Sequence, residues 1–437
     1  MVEKRKILPQ PAKVGRARII TWLLGGVTVG MLTLLTARVV QQFATTPLPH
    51  RLALVQDIPL PSSLPTASSR QNPLALGLAV PFDHFDFQAL DPQTHLLFIA
   101  HNGPNPDVEA QINTAFHPDT DASTDGNVIV FNTMQKKVVA VLPIPQVAGV
   151  VLAPDLHKVY AADSNDNIVF VINEATLSTA PIELHKNDSP DALAYDQTDH
   201  LVLVSVPGAP ANPDESNVVD RKNQNLNLIN ALTDKIIAII PLGIDGQWGD
   251  DVGHVKFDPG LHRIFVVVQQ LADPDSPKQN LLPPPGTAWL DEIDPVAYRV
   301  ITHMKLPNTC ITPHGMTIDT DQHIAFIACI DADPPGLYRV DLQTLHPFPE
   351  RPWPLPLKPD MLVLDHPLHL LYVACGSGIA IFKENGRSLQ LLGSYSYGVN
   401  THSIAVNEET NEIYLPLVRV GGRPVLRIMR YNPAGVV

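Results

Sequence analysis

The stretch PDMLVLDHPLHLLYVA, residues 359–374, contains an apolar strand, an Asp at a turn, a His four residues later and a second apolar strand. The same pattern occurs seven times along the chain. The turn positions are Asp91, Ala153, Asp196, Asp258, Asp319, Asp365 and Asn407. The residues four positions later are His95, His157, His200, His262, His323, His369 and Asn411. A recurring unit of this kind predicts a repeat architecture.

The spacing of the copies indicates which repeat architecture this is. Successive turn positions are separated by 62, 43, 62, 61, 46 and 42 residues. The short gaps match the length of a four-stranded propeller blade. Apolar runs such as NVIVFN and KVVAVLPI follow each hairpin and are bounded by Pro, Gly, Asn and Asp, as strands are. The sequence therefore predicts an all-β chain with a seven-bladed β-propeller of four-stranded blades over residues 51–437.

The last copy ends before a fourth strand. The segment RLALVQDIPL, residues 51–60, has the character of the fourth strands of other copies. We predict that it is the closing strand of the last blade, because an open ring would leave strand edges exposed. Residues 61–75 are rich in Pro and Ser and are expected to form a loop.

Over residues 75–437 the copies resemble the YVTN-type (YncE-like) seven-bladed propellers, which carry a similar core phrase. The closest matches are LHKVYAAD, LHLLYVAC and NEIYLPLV. The resemblance implies the fold but not a function, because such propellers include binding proteins and lactonase-like enzymes. The lactonase-like members use acidic and amide ligands at the channel. The order of residues here does not match that set, so the resemblance supplies no catalytic residue.

The N-terminal region predicts a membrane anchor. Residues 19–37 contain no charge and are long enough to span a bilayer. Six basic residues precede them, so residues 1–18 are expected to stay in the cytoplasm and the propeller to be exported. We assign a transmembrane signal anchor to residues 19–41, in a bacterial membrane, with a cleaved signal peptide as the alternative.

The charge of the chain bears on its partners. The formal net charge is −14, and the part after residue 18 holds 24 basic and 43 acidic residues, a charge of −19. A nucleic-acid binder is expected to carry a basic patch or stripe, so the composition excludes that class. We expect a monomer that binds a protein or a small molecule.

The chain has three cysteines. Antiparallel pairing of the first two strands of the fifth copy would bring Cys310 close to Cys329, and an exported protein can form disulfides. A disulfide between Cys310 and Cys329 is one prediction, and three buried thiols, Cys375 included, is the alternative.

The best signal for a functional site lies five residues before each turn position. In a propeller the first strand of each blade lines the central channel, so these residues should meet at one rim. They are Asp86, Ala148, Asp191, Gly253, His314, Asp360 and His402, with His254 next to Gly253. Such side chains are costly to cluster unless they are solvated or paired. We predict a ligand-binding rim formed by Asp86, Asp191, His254, His314, Asp360 and His402.

Three interpretations of this rim remain open. It is a channel of ordered water, a site for a small ligand or protein partner, or a divalent metal site that supports lactonase-like or other hydrolysis. Three long insertions, residues 101–126, 206–224 and 269–287, are expected on the same face. They favour recognition, because long loops in compact domains are commonly functional. The His residues after the turns should lie on the opposite face, one per blade, with a structural role.

Overall fold

The computed structural model describes residues 52–62, 83–104, 126–186, 188–207, 224–242, 249–271, 288–348, 351–386, 388–398 and 400–432. The chain divides into two units, Met1–Leu48 and Pro49–Val437, and all described residues belong to the second. The predicted cytoplasmic tail and anchor, residues 1–41, lie outside the described residues. Within the described ranges, no helix is long and apolar enough to cross a membrane.

Seven antiparallel sheets form a seven-bladed β-propeller. Blade one contains β2 (Asp83–Asp91), β3 (Leu96–Pro104), β4 (Asn127–Asn132) and β5 (Lys137–Pro143). Blade two contains β6 (Val147–Ala153), β7 (Lys158–Asp163), β8 (Ile168–Asn173) and β9 (Thr179–Glu183). Blade three contains β10 (Leu193–Asp196), β11 (Leu201–Val206), β12 (Asn225–Asn230) and β13 (Lys235–Pro241). A single 3₁₀ turn, Pro154–Leu156, lies between β6 and β7.

Blade four contains β14 (Gly249–Asp258), β15 (Arg263–Leu271), β16 (Trp289–Asp294) and β17 (Arg299–Lys305). Blade five contains β18 (Pro313–Asp319), β19 (Ile324–Cys329), β20 (Gly336–Asp341), β21 (His346–Pro347) and β22 (Trp353–Pro354). Blade six contains β23 (Pro359–Asp365), β24 (Leu370–Cys375), β25 (Gly378–Asn385) and β26 (Ser388–Ser396). In blade five the outer strand is replaced by two short pieces, β21 and β22, which both pair with β20.

Blade seven contains both ends of the described chain. Its strands are β27 (Ala405–Asn407), β28 (Glu412–Val420), β29 (Arg423–Tyr431) and β1 (Leu52–Pro59). β1 pairs antiparallel with β29, from Leu52 opposite Tyr431 to Pro59 opposite Val425. A bidentate ion pair joins the same strands: Arg427 donates from Nε and Nη2 to the two carboxylate oxygens of Asp57, at 2.8 and 2.7 Å. The segment expected to close the ring thus supplies the outermost strand of the last blade.

The core lies between adjacent blades. The second strands β11, β19 and β24 are buried at every position. Phe326 of blade five, for example, packs in one buried cluster with Leu371 of blade six. The outer strands β5 and β13 instead alternate between exposed and half-buried residues, as expected for a strand with one face in water.

The first turn of each blade follows from its repeated residues. The carboxylate of Asp258, for example, accepts the backbone N–H of Leu261 at 3.0 Å, which is the local bond that makes Asp a turn residue. The residue four positions after the turn position has a positive φ, between 47° and 59°, in all seven copies. His and Asn are enriched in this left-handed conformation. The backbone therefore explains the recurrence of His and its single replacement by Asn411.

Candidate functional site at the channel mouth

The innermost strands β2, β6, β10, β14, β18, β23 and β27 contact one another in sequence around the ring and enclose the axis. We call the end at which these strands begin the channel mouth. We call the other end, with the turn positions Asp91 to Asn407, the lower face. Of the rim residues predicted from the sequence, His314 and Asp360 are the second residues of their strands, and Asp191 and His402 lie just before theirs. Asp86 and His254 lie further along, as the fourth residue of β2 and the sixth of β14.

A β-bulge in the first strand directs the rim side chains inward. The pairing of β14 with β15 shifts register between Val252 and Val255, and the shift encloses Gly253 and His254. Equivalent shifts enclose Asp86, Ala148, His314 and Asp360 in their own blades. A bulge bends its strand and changes the direction of a side chain. This explains why blade four contributes His254 although the strict spacing selects Gly253.

Close approach of neighbouring blades brings the rim residues together. A Cβ added to Gly315 would lie 1.7 Å from the carbonyl oxygen of Asp360. Only glycine permits that contact, so Gly315 allows the strand that carries Asp360 to lie against the strand that carries His314.

Asp360 is the centre of the resulting cluster. Its carboxylate Oδ2 lies 2.6 Å from Nε2 of His402. Its Oδ1 lies 3.3 Å from Nε2 of His254 and 3.5 Å from Nε2 of His314. Asp86 adds a second carboxylate, 3.6 Å from Nε2 of His402. Side chains from five blades thus meet around one buried carboxylate. Blade six supplies Asp360 itself, and blades one, four, five and seven supply Asp86, His254, His314 and His402 in that order.

Burial and charge set the pKa values of the cluster. Burial alone would raise the pKa of Asp360, but His402, His314 and His254 outweigh it and hold this pKa well below its usual range. Burial alone would lower the pKa of His402, but the carboxylates of Asp360 and Asp86 hold it well above its usual range. His402 is therefore an imidazolium that forms an ion pair with Asp360 at neutral pH.

Two other histidines of the mouth, His254 and His84, stay neutral. Burial lowers the pKa of His254 against the opposing effect of Asp360. His84, which the sequence analysis did not select, lies with its ring 5.1 Å from the ring of His402. Burial and the charge of His402 lower the pKa of His84 to about 4. Its place two residues before Asp86 was the signal that could have identified it.

The hydrogen bonds of the mouth place protons where a metal ion would need lone pairs. Two groups, His254 with His314 and Asp360, and Asp86 with Asp360 and His402, place their ligand atoms within 4.8 Å of one another. However, Nδ1 of His254 accepts the backbone N–H of Met316 at 3.2 Å. Neutral His254 then carries its proton on Nε2, which faces Asp360 and has no lone pair for a metal. The metal-assisted hydrolase alternative is therefore not favoured.

His314 and His402 form the accessible part of the cluster. Their side chains are 22% and 24% exposed, whereas that of His254 is 1% exposed. Nδ1 of His314 is 2.9 Å from Nε2 of Gln269, a further mouth residue that the sequence analysis missed. A ligand would meet these two imidazoles first, and the buried groups would hold them in place.

The remaining predicted residues have separate places. Asp191 lies two residues before β10 and belongs to neither group of ligand atoms. Most of the three insertions, residues 105–125, 208–223 and 272–287, lies outside the described residues. Cys310 and Cys329 form a disulfide beside the mouth in blade five, with their Cα atoms 5.2 Å apart, and Cys375 is a buried free thiol.

Comparison with known proteins shows the fold alone. No protein-family model and no curated protein sequence matches the chain. Among solved structures, the chain is similar to a chain of hydrazine synthase from Kuenenia stuttgartiensis, with a TM-score of 0.56 and 13% identity over 80% of this chain and 98% of that chain. The chain therefore belongs structurally to the β-propeller class, and at this identity the likeness carries no function.

Proposed function

We propose that this chain is a membrane-anchored, extracytoplasmic propeller of the YVTN (YncE-like) kind that serves as a binding module. In this proposal residues 19–41 cross the membrane, the propeller acts as a monomer, and a small ligand or protein partner binds at the channel mouth. The uncharged run and the basic residues before it support the anchor. The repeat phrases support the family assignment.

The observation that carries the binding function is the convergence on Asp360. A buried carboxylate with three imidazoles around it is costly to assemble, and a purely structural channel does not require it. It leaves two half-buried imidazoles, His314 and His402, at the end of the axis where long insertions are expected. These two imidazoles, of which that of His402 is charged, together offer hydrogen bonds to a polar ligand with hydroxyl, amide or carboxylate groups.

Ligand-induced stabilisation tests the binding function. The full-length chain, purified in detergent, would be screened by thermal denaturation against a panel of sugars, amino acids and organic acids. We expect compounds that raise the melting temperature of the wild type but not of a His314→Gln/His402→Gln variant. His369→Asn, on the lower face, is the matched control and should respond as the wild type does. Compounds that stabilise all three proteins equally would exclude the mouth as the binding site.

Carbonate extraction tests the anchor separately. Membranes from cells that express the full-length chain are washed at high pH, and the chain is followed by immunoblot. We expect the full-length chain to stay in the pellet, because an apolar helix is not released by breaking electrostatic contacts. A full-length chain in the supernatant would contradict the anchor, and a shortened one would indicate signal-peptide cleavage.

A further inference from the structure

A second cluster of ligand-type side chains lies on the lower face, at the junction of blades three and four. Asp196 ends β10, Asp199 lies in the turn that follows it, and His262 directly precedes β15. Each contributes one ligand atom, and these atoms lie within 4.8 Å of one another. The cluster shares no residue with the channel mouth, and the proposed function does not use it.

Asp196 has one carboxylate oxygen in use and one without a partner. Its Oδ1 accepts the backbone N–H groups of Thr198 and Asp199 at 2.8 and 3.1 Å. The residue is fully buried, and its Oδ2 accepts no hydrogen bond. A buried carboxylate oxygen without a partner is destabilising unless a proton or a cation compensates it.

Other blades show what usually occupies this position. The second oxygen of Asp258 is 2.8 Å from His323, that of Asp319 accepts Gln322 at 2.7 Å, and that of Asp91 accepts Thr94 at 3.0 Å. Asp365 also leaves this oxygen without a partner. In blade three the residue three positions after the turn position is Asp199, an acceptor rather than a donor, so the turn presents two carboxylates together.

His262 can add a nitrogen ligand atom to these two carboxylates. Its Nε2 lies 2.7 Å from Oδ2 of Asp199. In the part of the chain that the structure describes, no group is hydrogen-bonded to its Nδ1. In the absence of an ion, Nε2–H donates to the Asp199 carboxylate, which can only accept. Among the described residues, no bond requires Nδ1 to stay unprotonated, so the proton can reside on Nδ1 and leave the Nε2 lone pair to an ion, in contrast to His254 at the mouth. The equivalent His323 instead faces Asp258 through Nδ1.

We propose that Asp196, Asp199 and His262 bind a divalent first-row transition metal ion, of which Zn²⁺ is the most suitable probe. Two carboxylate oxygens and one imidazole nitrogen form a ligand set that such ions accept, with water in the remaining position. The ion would neutralise the two adjacent carboxylates and supply the missing partner of Asp196. The side chains of His262 and Asp199 are 36% and 31% exposed, which leaves a path for the ion.

Calorimetric titration of the metal-stripped, full-length chain with Zn²⁺ tests this proposal. The informative variants are Asp199→Asn and His262→Asn. Asn suits the backbone at position 262, because Asn411 occupies the equivalent position with φ of 55°, against 54° for His262. The matched control is His323→Asn, which makes the same substitution in the next blade at φ of 56°.

We expect the wild type and the His323→Asn variant to bind Zn²⁺ alike. Asp199→Asn and His262→Asn should weaken binding by roughly tenfold to a hundredfold or more, because each removes a ligand. Absence of Zn²⁺ binding by the wild type would overturn the proposal, and so would equal affinities in all four proteins. Binding that survives His262→Asn but is lost in His402→Gln would place the ion at the mouth and would also overturn it. None of these outcomes depends on the ligand screen for the mouth.

Discussion

The channel mouth and the lower face both bury carboxyl groups, but with opposite consequences. At the mouth, Asp360 has three imidazoles around it, which hold its pKa well below the usual range despite burial. On the lower face, Glu384 of blade six has another acid, Asp319, as its neighbour. Burial first, and then Asp319, raise the pKa of Glu384 to about 8. Burial raises the pKa in both places, and the partner that the neighbouring blade supplies either opposes this rise, as at Asp360, or adds to it, as at Glu384.

The geometry of the ring explains this difference. At the mouth, bulged strands from several blades direct their side chains toward one axis, so one carboxylate can have many partners. On the lower face the side chains of one blade meet those of a neighbouring blade, as His323 meets Asp258 and His200 meets Asp155. A buried acid there has few neighbours from the next blade, and the nearest one can be a second acid, as Asp319 is for Glu384.

The largest effect is expected from Asp360→Asn. Removal of this charge leaves the His402 imidazolium buried without its main partner, and loss of one member of a buried ion pair costs about 3–5 kcal/mol. Asp258→Asn is the matched control, since Asn can still accept the N–H of Leu261, and it should cost about 1 kcal/mol. Urea denaturation at neutral pH measures both free energies of unfolding. Equal losses would mean that the mouth is no more than an ordinary paired site.

An intermediate effect is expected from Glu384→Gln, and it depends on pH. A carboxyl whose pKa is raised by folding adds stability that is fully present below its ordinary value of 4.5 and is lost as the pH rises through about 8. The variant mimics the protonated form, so its free energy of unfolding should decrease less than that of the wild type between pH 5 and pH 9.

Glu174 provides the control for this experiment. It occupies the equivalent position in blade two, and burial together with Asp91 raises its pKa to about 7. The wild type should therefore lose the contribution of Glu174 at a lower pH than the contribution of Glu384. Accordingly, the curve of Glu174→Gln should depart from that of the wild type at a lower pH than the curve of Glu384→Gln. Two variants with the same pH profile as the wild type would show that neither carboxyl titrates in the folded state as inferred. The stability that comes from the depressed pKa of Asp360 is present above its ordinary value of 3.8, and it should be lost only as the pH falls below that value.

The smallest effect is expected from His369→Asn on the lower face. His369 has a positive φ of 47°, and Asn adopts this conformation readily. The substitution should change the free energy of unfolding by less than about 0.5 kcal/mol. His369→Val should cost roughly 1–2 kcal/mol, because a β-branched side chain is strained there. If His369→Asn were as destabilising as His369→Val, contacts of the imidazole rather than the positive φ would explain why His occupies this position.

The sequence was sufficient to predict the blades, because apolar runs and turn residues are local signals that the repeat multiplies sevenfold. It also selected Asp360 and the four other side chains that cluster with it at the mouth. It could not indicate that Asp360 would be the centre or that Asp191 would belong to neither group of candidate ligand atoms. That choice depends on bulges and on the approach permitted by Gly315, which are properties of packed neighbours.

Other misses have similar causes. The His residues after the turns were expected to have a structural role, but the sequence did not show that a positive φ is what all seven positions share. A backbone angle leaves only a preference for His, Asn or Gly in the sequence. Glu174 and Glu384 were not selected, because their partners belong to the preceding blade and lie far away along the chain.

The pairing of β1 with β29 has a consequence for the order of folding. Asp57 and Arg427 are 370 residues apart in the chain, yet they belong to adjacent strands. During synthesis β1 emerges before the other strands of the ring, and its partner β29 follows about 370 residues later. Contacts of such long sequence separation form slowly. The first six blades can fold as their residues emerge, but completion of the last blade is a late step, and the unpaired edge of β29 is open to other chains until then.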